Sequence, residues 1–114
     1  MESRRASVFR LLGLARRAGG VAPGTEAVRR AIREGEAHLV LMAGDASRVQ
    51  LEKIKTTLHD RTIPQVTLGD RNTLGAAVGL AALSAVAVTN RSLADQLIAE
   101  LDSGDGSSTD AVEA

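Results

Sequence analysis

The segment Pro23-Gly24-Thr25-Glu26-Ala27-Val28-Arg29-Arg30-Ala31-Ile32-Arg33-Glu34-Gly35 carries the residue types best suited to holding an anion. Its Pro-Gly pair closes the preceding segment, a helix of about three turns follows, and Gly35 stops it. At helical spacing Val28, Ala31 and Ile32 share one side and require a core. Glu26, Arg29, Arg30 and Arg33 share the other. A helix opening on Gly24-Thr25 presents free backbone N–H groups and the positive end of its dipole. Beside three guanidinium groups, such an end is suited to a phosphate backbone, which points to an RNA or DNA contact. The plainer alternative is a solvated arginine face.

Bond-making chemistry finds no comparable constellation. The chain has no Cys, its two His residues have no carboxylate or Ser partner at useful spacing, and no phosphate-loop or dinucleotide glycine pattern occurs. Asp45, after an apolar run, could face an anion pocket at Gly24-Thr25, but a strand-to-helix turn beside Ser47 explains it more simply. His38 reads as structural, and His59 as a surface residue at a helix end. An enzyme is therefore not expected, nor is a metal or other cofactor.

The elements that must position the arginine helix follow from periodicity. Ser3 to Ala18 predicts a first helix with Val8, Leu11, Leu12 and Ala15 on one stripe. Gly13 within it costs roughly 1 kcal/mol relative to Ala, which suggests close packing. Arg16-Arg17 fall in its last turn, where cations suit the dipole, and Gly19-Gly20 end it. A short strand at Val21-Ala22 leads into the Gly24 helix. Ala37 to Ala43 is nearly continuous in apolar residues and reads as a central strand buried on both faces.

Ser47 to Gln50 has a capping-box pattern opening a helix to about Asp60, with Leu51, Ile54 and Leu58 buried and Lys53 and Lys55 facing water. Thr62 to Leu68 gives a third strand, with Pro64 near its start. Arg71 to Gly79 gives a short helix, and the loop Leu80-Ala81-Ala82-Leu83 precedes a fourth strand, Ser84 to Val88. Ser92 is expected to cap a last helix whose stripe is Leu93, Leu97, Ile98 and Leu101. Helices alternating with strands predict a three-layer α/β/α sandwich around a four-stranded mixed sheet, formed by residues 1–102. Residues 103–114 have little to bury and are expected to form a disordered acidic tail.

At 114 residues the chain is long enough for one modest core, and Phe9 is its single aromatic residue, so Leu, Val, Ile and Ala must fill it. No run approaches a membrane span and no secretory leader is evident, so a cytoplasmic protein without membrane association is expected. The zero net charge hides a split. Arg4, Arg5, Arg10, Arg16, Arg17, Arg29, Arg30 and Arg33 lie in the first third, whereas only acidic charges follow Arg91. Such asymmetry suits a nucleic-acid surface with an acidic tail that could compete for it.

Leu11-Leu12-Gly13-Leu14-Ala15-Arg16-Arg17-Ala18-Gly19, Gly24-Thr25 through Arg30-Ala31-Ile32 and Gly35, Leu39 to Ser47, Ile63-Pro64 and Leu74-Gly75 occur in that order. Together, across roughly residues 4–101, they resemble the L7Ae/L30e ribosomal-protein family, and within it a small ribosome-associated bacterial subgroup, the YlxQ-like proteins. The resemblance implies a protein that binds kink-turn RNA, a monomer with structured RNA or the ribosome as partner. In that family the helix after Gly-Thr meets tandem sheared G·A pairs, and the loop before the last strand touches a flipped-out nucleotide. Carried over by position, Thr25 fits, Glu26 stands where Asn is usual, Ala27 where Glu is usual and Arg30 where Lys is usual. Gly44 stands where an acidic residue is common, and Leu80, Ala81 and Ala82 replace an Ile-Glu-Val loop. The expected RNA contacts are thus Gly24, Thr25, Glu26, Arg29, Arg30, Arg33, Leu80, Ala81 and Ala82. The alternative on the same fold is a protein-interaction module that has lost specific RNA binding.

Overall fold

The computed structural model describes residues 4–102. The acidic tail lies outside them. In chain order the elements are α1 (Arg4–Arg17), β1 (Val21–Pro23), α2 (Thr25–Arg33), β2 (Leu39–Met42), α3 (Arg48–Leu58), β3 (Gln65–Thr67), α4 (Arg71–Ala77), β4 (Ala85–Val88) and α5 (Arg91–Asp102). The sheet order is β1-β4-β2-β3, with β4 antiparallel to β1 and β2, and β3 parallel to β2. The layered α/β/α expectation therefore holds, with strands shorter than the apolar runs suggested.

Side-chain alternation in β2 and β4 divides the core in two. Leu39, Leu41, Val86 and Val88 face α1, α4 and α5, where they meet Val8, Leu12, Leu74, Ala94 and Leu97. Val40, Met42, Ala85 and Ala87 face α2 and α3, meeting Val28, Ile32, Ile54 and Leu58. All eight strand residues are buried, so neither central strand has a wet face. Complete burial of each Leu, Ile or Val contributes about 1.5–3 kcal/mol, which makes these two strands the anchor for both helical layers. β3, by contrast, is an edge strand with Gln65 and Thr67 exposed. Pro64 just precedes it, donating nothing where the ladder needs nothing.

Helix ends depart from the sequence reading in three places. Asn90, not Ser92, opens α5: its Oδ1 accepts from Leu93 N at 2.9 Å. Both residue types suit that role, and only the turn geometry after β4 decides between them. Ser47 Oγ accepts from Gln50 N at 3.2 Å, giving half of the capping box expected there. The complete box is at α4, where Asp70 accepts from Thr73 N and Thr73 Oγ1 accepts from Asp70 N.

Those hydrogen bonds to the ionised Asp70 carboxylate, the Thr73 backbone foremost, hold it below its usual 3.8. A carboxyl whose folded value is lowered adds stability above its unfolded value and loses it as pH falls through the folded one. Wild-type protein is therefore expected to lose thermal stability on acidification below about pH 4 more steeply than an Asp70→Asn variant. Parallel melting curves from pH 5 to pH 2 measure the difference, and coincident slopes would remove Asp70 from the acid response.

Candidate nucleic-acid interface

Sheet topology gathers the candidate residues before any side chain is considered. β1, β2 and β3 run one way and β4 the other, so the ends of the first three strands and the start of β4 share one edge. α2, α3 and α4 all begin there, and the loop 80–84 ends there, with Leu83 N donating to Arg71 O. Gly24 N donates to Ala85 O at 2.8 Å, tying the start of α2 to the start of β4. A Cβ on Gly24 would lie 3.9 Å from Leu83 Cδ2, so the helix opening and the loop are neighbours. Gly24 has φ of 96°, a backbone state that favours glycine, so the chain turns into α2 without a side chain over the helix end.

Side chains cap α3, α4 and α5 through Ser47, Asp70 and Asn90. α2 has no side-chain cap. Its first intrahelical bond runs from Val28 N to Gly24 O at 2.9 Å, which leaves the N–H groups of Thr25, Glu26 and Ala27 ahead of the ladder. Those donors and the helix dipole form an open anion-facing end.

The arginines of α2 do not act as one face. Arg29 turns toward α3, where its Nε donates to Thr57 Oγ1 at 3.1 Å and its NH1 pairs with Glu26 at 3.2 Å. It fastens the two helices. Arg30 and Arg33 are exposed and form no hydrogen bond or ion pair among the described residues. Glu26 is likewise not a bare carboxylate, since Lys53 Nζ stands 3.9 Å away in addition to Arg29. Its negative charge is therefore offset locally.

Loop residues Leu80, Ala81 and Ala82 are exposed, and Leu80 is 39% accessible despite being apolar. Gly75 holds this loop down. A Cβ there would overlap the Ala81 carbonyl oxygen and stand 2.6 Å from its carbonyl carbon. Leu80 N donates to Gly75 O at 2.9 Å, and Leu83 N to Arg71 O at 3.1 Å.

Sequence reasoning missed the pair behind the loop. Asp45, read as a turn residue, accepts from Arg71 N at 2.8 Å and lies 3.5 Å from Arg71 Nε. It links the end of β2 to the start of α4, and its spacing of 26 residues from Arg71 gives no local signal. Arg16 likewise does not serve its own helix end. It donates to Val78 O at 2.9 Å, at the close of α4.

An α/β/α sandwich with an uncapped helix start and a clamped apolar loop at one sheet edge, and two uncommitted arginines in the last turn of that helix, defines the class. The chain belongs to the ribosomal protein L7Ae/L30e/S12e/Gadd45 family, whose model matches residues 6–98. It is 38% identical over 94 residues to the RNA-binding protein YlxQ of Bacillus subtilis (strain 168), covering 82% of this chain and 94% of that protein. A structure of a protein of unknown function from Bacillus halodurans C superposes with a TM-score of 0.77 at 30% identity, covering 83% of this chain and 96% of the other. The Giardia lamblia 15.5kD RNA binding protein has the same fold, with a TM-score of 0.71 at 16% identity over 92% and 93% of the two chains.

Proposed function

We propose that this protein binds structured RNA, of kink-turn form and in association with the ribosome, and performs no reaction on it. The observation that carries the proposal is the uncapped start of α2 together with the exposed, uncommitted Arg30 and Arg33 in the last turn of the same helix. The names of the Bacillus subtilis and Giardia relatives, both RNA-binding proteins, support the same partner class.

In this reading the N–H groups of Thr25 and its neighbours hold one phosphate, Arg30 and Arg33 hold others, and Leu80 packs on an unstacked base. Arg30 can grip a phosphate through two parallel hydrogen bonds. Ala27 has no acceptor for a guanine edge, so one base-specific contact worth about 1–3 kcal/mol is absent. Affinity then rests on phosphate contacts and shape more than on base identity.

Titration against a kink-turn RNA and a straight duplex of equal length, at two salt concentrations, tests this. Binding of the kink-turn is expected to be tighter, and log affinity to fall with log salt by roughly 0.7–0.9 per phosphate held. The double variant Glu26→Asn/Ala27→Glu is expected to widen the preference by about tenfold, because it supplies the missing acceptor and an amide. Salt-independent binding would defeat the proposal. Binding of neither RNA would favour a protein-interaction module on this fold.

A further inference from the structure

We infer that Arg16 of α1 is a positioning residue for RNA specificity: by holding the peptide group that leads into Gly79, it sets the height of the loop that carries Leu80, Ala81 and Ala82. The inference rests on the RNA reading above and adds to that site a residue that itself touches no RNA.

The last carbonyls of a helix have no partner within it. At the close of α4, Gly75 O accepts from Val78 N and Leu80 N, and Ala76 O accepts from Gly79 N. Val78 O receives no backbone hydrogen bond among the described residues. The Arg16 guanidinium supplies its donor at 2.9 Å, from 62 residues away in the chain. Gly13, one turn earlier on the same side of α1, lets the two helices come this close. A Cβ on Gly13 would stand 3.2 Å from Ala77 O, tighter than an ordinary contact. Gly13 and Arg16 thus receive the two consecutive carbonyls with which α4 ends.

The identity of the held peptide group decides the consequence. Val78 O belongs to the peptide that joins Val78 to Gly79. The Val78 side chain is buried and anchored in the core. Gly79 is exposed, has φ of 72°, and has no atom within 4 Å of where a Cβ would lie. A glycine in open space is a free joint, so a bond on the peptide before it removes freedom from residues 80–82. The other loop bonds, from Leu80 N to Gly75 O and from Leu83 N to Arg71 O, end on α4 itself and move with it. Asp45 ties the start of α4 to the end of β2, and Arg16 ties its close to α1, so the helix that carries the loop is pinned from other elements at both ends. Loop height matters only where Leu80 meets an unstacked base, since phosphates held by α2 do not depend on it. Arg16 therefore bears on the discrimination between kinked and straight RNA, and not on charge-driven affinity.

The test uses full-length protein, well below every melting transition, titrated with a kink-turn RNA carrying 2-aminopurine at its unstacked base and with a straight duplex of equal length. Arg16→Met keeps the apolar stem and removes the donor. It is expected to weaken kink-turn binding about fivefold, with straight-duplex binding held within about twofold and the log–log salt slope unchanged. At saturation the 2-aminopurine fluorescence should change less than with the wild type. Arg16→Lys, which keeps a donor on a similar stem, should recover most of the loss. Arg17→Met, which removes the neighbouring charge at the same helix end, should match the wild type within about twofold. In a double-mutant cycle, Arg16→Met should cost almost nothing further once Leu80→Ala has removed the base contact. Additive losses overturn the inference, since Arg16 would then act apart from the loop. A salt slope lowered by about one overturns it as well, because Arg16 would be holding a phosphate itself. So does unchanged binding by Arg16→Met where Leu80→Ala is weakened. If Leu80→Ala binds the kink-turn as tightly as the wild type, or the wild type binds neither RNA, the reading on which the inference rests fails with it.

Discussion

Gly75→Ala is expected to lower both stability and RNA affinity, although the change adds one methyl group to a helix that would otherwise welcome it. In an open helix the substitution would gain about 1 kcal/mol from propensity. Here the new Cβ would overlap the Ala81 carbonyl oxygen and stand 3.0 Å from Leu80 O. Both are backbone atoms, so no rotamer change relieves the contact. Either α4 tilts away from the sheet or residues 80–82 lift.

Overpacking of this kind costs about 1–3 kcal/mol, and two backbone contacts this close place the cost toward the upper end, above the propensity gain. Against that gain this leaves a net loss of up to about 2 kcal/mol, which for a domain of this size corresponds to a fall in Tm of up to roughly 16 °C. Lifting the loop also lengthens the bond from Leu80 N to Gly75 O and displaces exposed Leu80 in the loop whose Leu83 neighbours Gly24. If Leu80 packs on a base as proposed, RNA binding should then be about tenfold weaker. Thermal unfolding and RNA titration of the same preparation separate the two effects. Ala76→Ser, one residue along and exposed, serves as control. A destabilised variant with undiminished affinity would exclude the loop from the interface.

The order of elements was legible because each apolar period matched its environment. The continuous run ending in Leu39, Val40, Leu41 and Met42 could only be a strand covered on both faces, and all four residues are buried. The α2 stripe of Val28, Ala31 and Ile32 is buried as its spacing requires. What could not be read was the destination of long polar side chains. Arg16, Arg29, Arg30 and Arg33 look alike in sequence. Yet Arg16 closes α4 and Arg29 ties α2 to α3, whereas Arg30 and Arg33 are uncommitted. Guanidinium groups reach several ångströms from their Cα, so the neighbouring element decides their role. Asp45 escaped for a similar reason, since its partner Arg71 is brought close only by the parallel pairing of β2 with β3. Capping residues fell between these extremes: the type was right at α5, but the position was Asn90 rather than Ser92.

That sorting of arginines sets the second large effect. Arg30→Glu/Arg33→Glu is expected to weaken RNA binding by at least 100-fold, and Arg29→Gln by much less. Each charge-assisted hydrogen bond to phosphate contributes about 1.5–3 kcal/mol, with exposure placing these two near the lower end. Removing both costs about 3 kcal/mol, or two powers of ten, before repulsion by the new carboxylates. Both residues lie in the last turn of α2, where cations suit the dipole, so reversal also costs the helix about 0.5–2 kcal/mol. Affinity should therefore be measured well below the melting transition. Arg30→Gln/Arg33→Gln provides the cleaner comparison, because it removes the two exposed charges without placing acids at the helix end.

Arg29→Gln inverts the pattern. It removes the bond to Thr57 and one of the two cations beside Glu26, so stability should fall by about 1 kcal/mol while Arg30, Arg33 and the start of α2 stay in place. Freed of Arg29, Glu26 keeps only Lys53 nearby, and its charge should weaken RNA binding severalfold. The salt slope distinguishes the two variants. Loss of Arg30 and Arg33 should lower it by about two, while loss of Arg29 should leave it nearly unchanged. Equal slopes for both would mean that the three arginines contribute only general positive charge, and that the uncapped start of α2 has no special part in holding RNA.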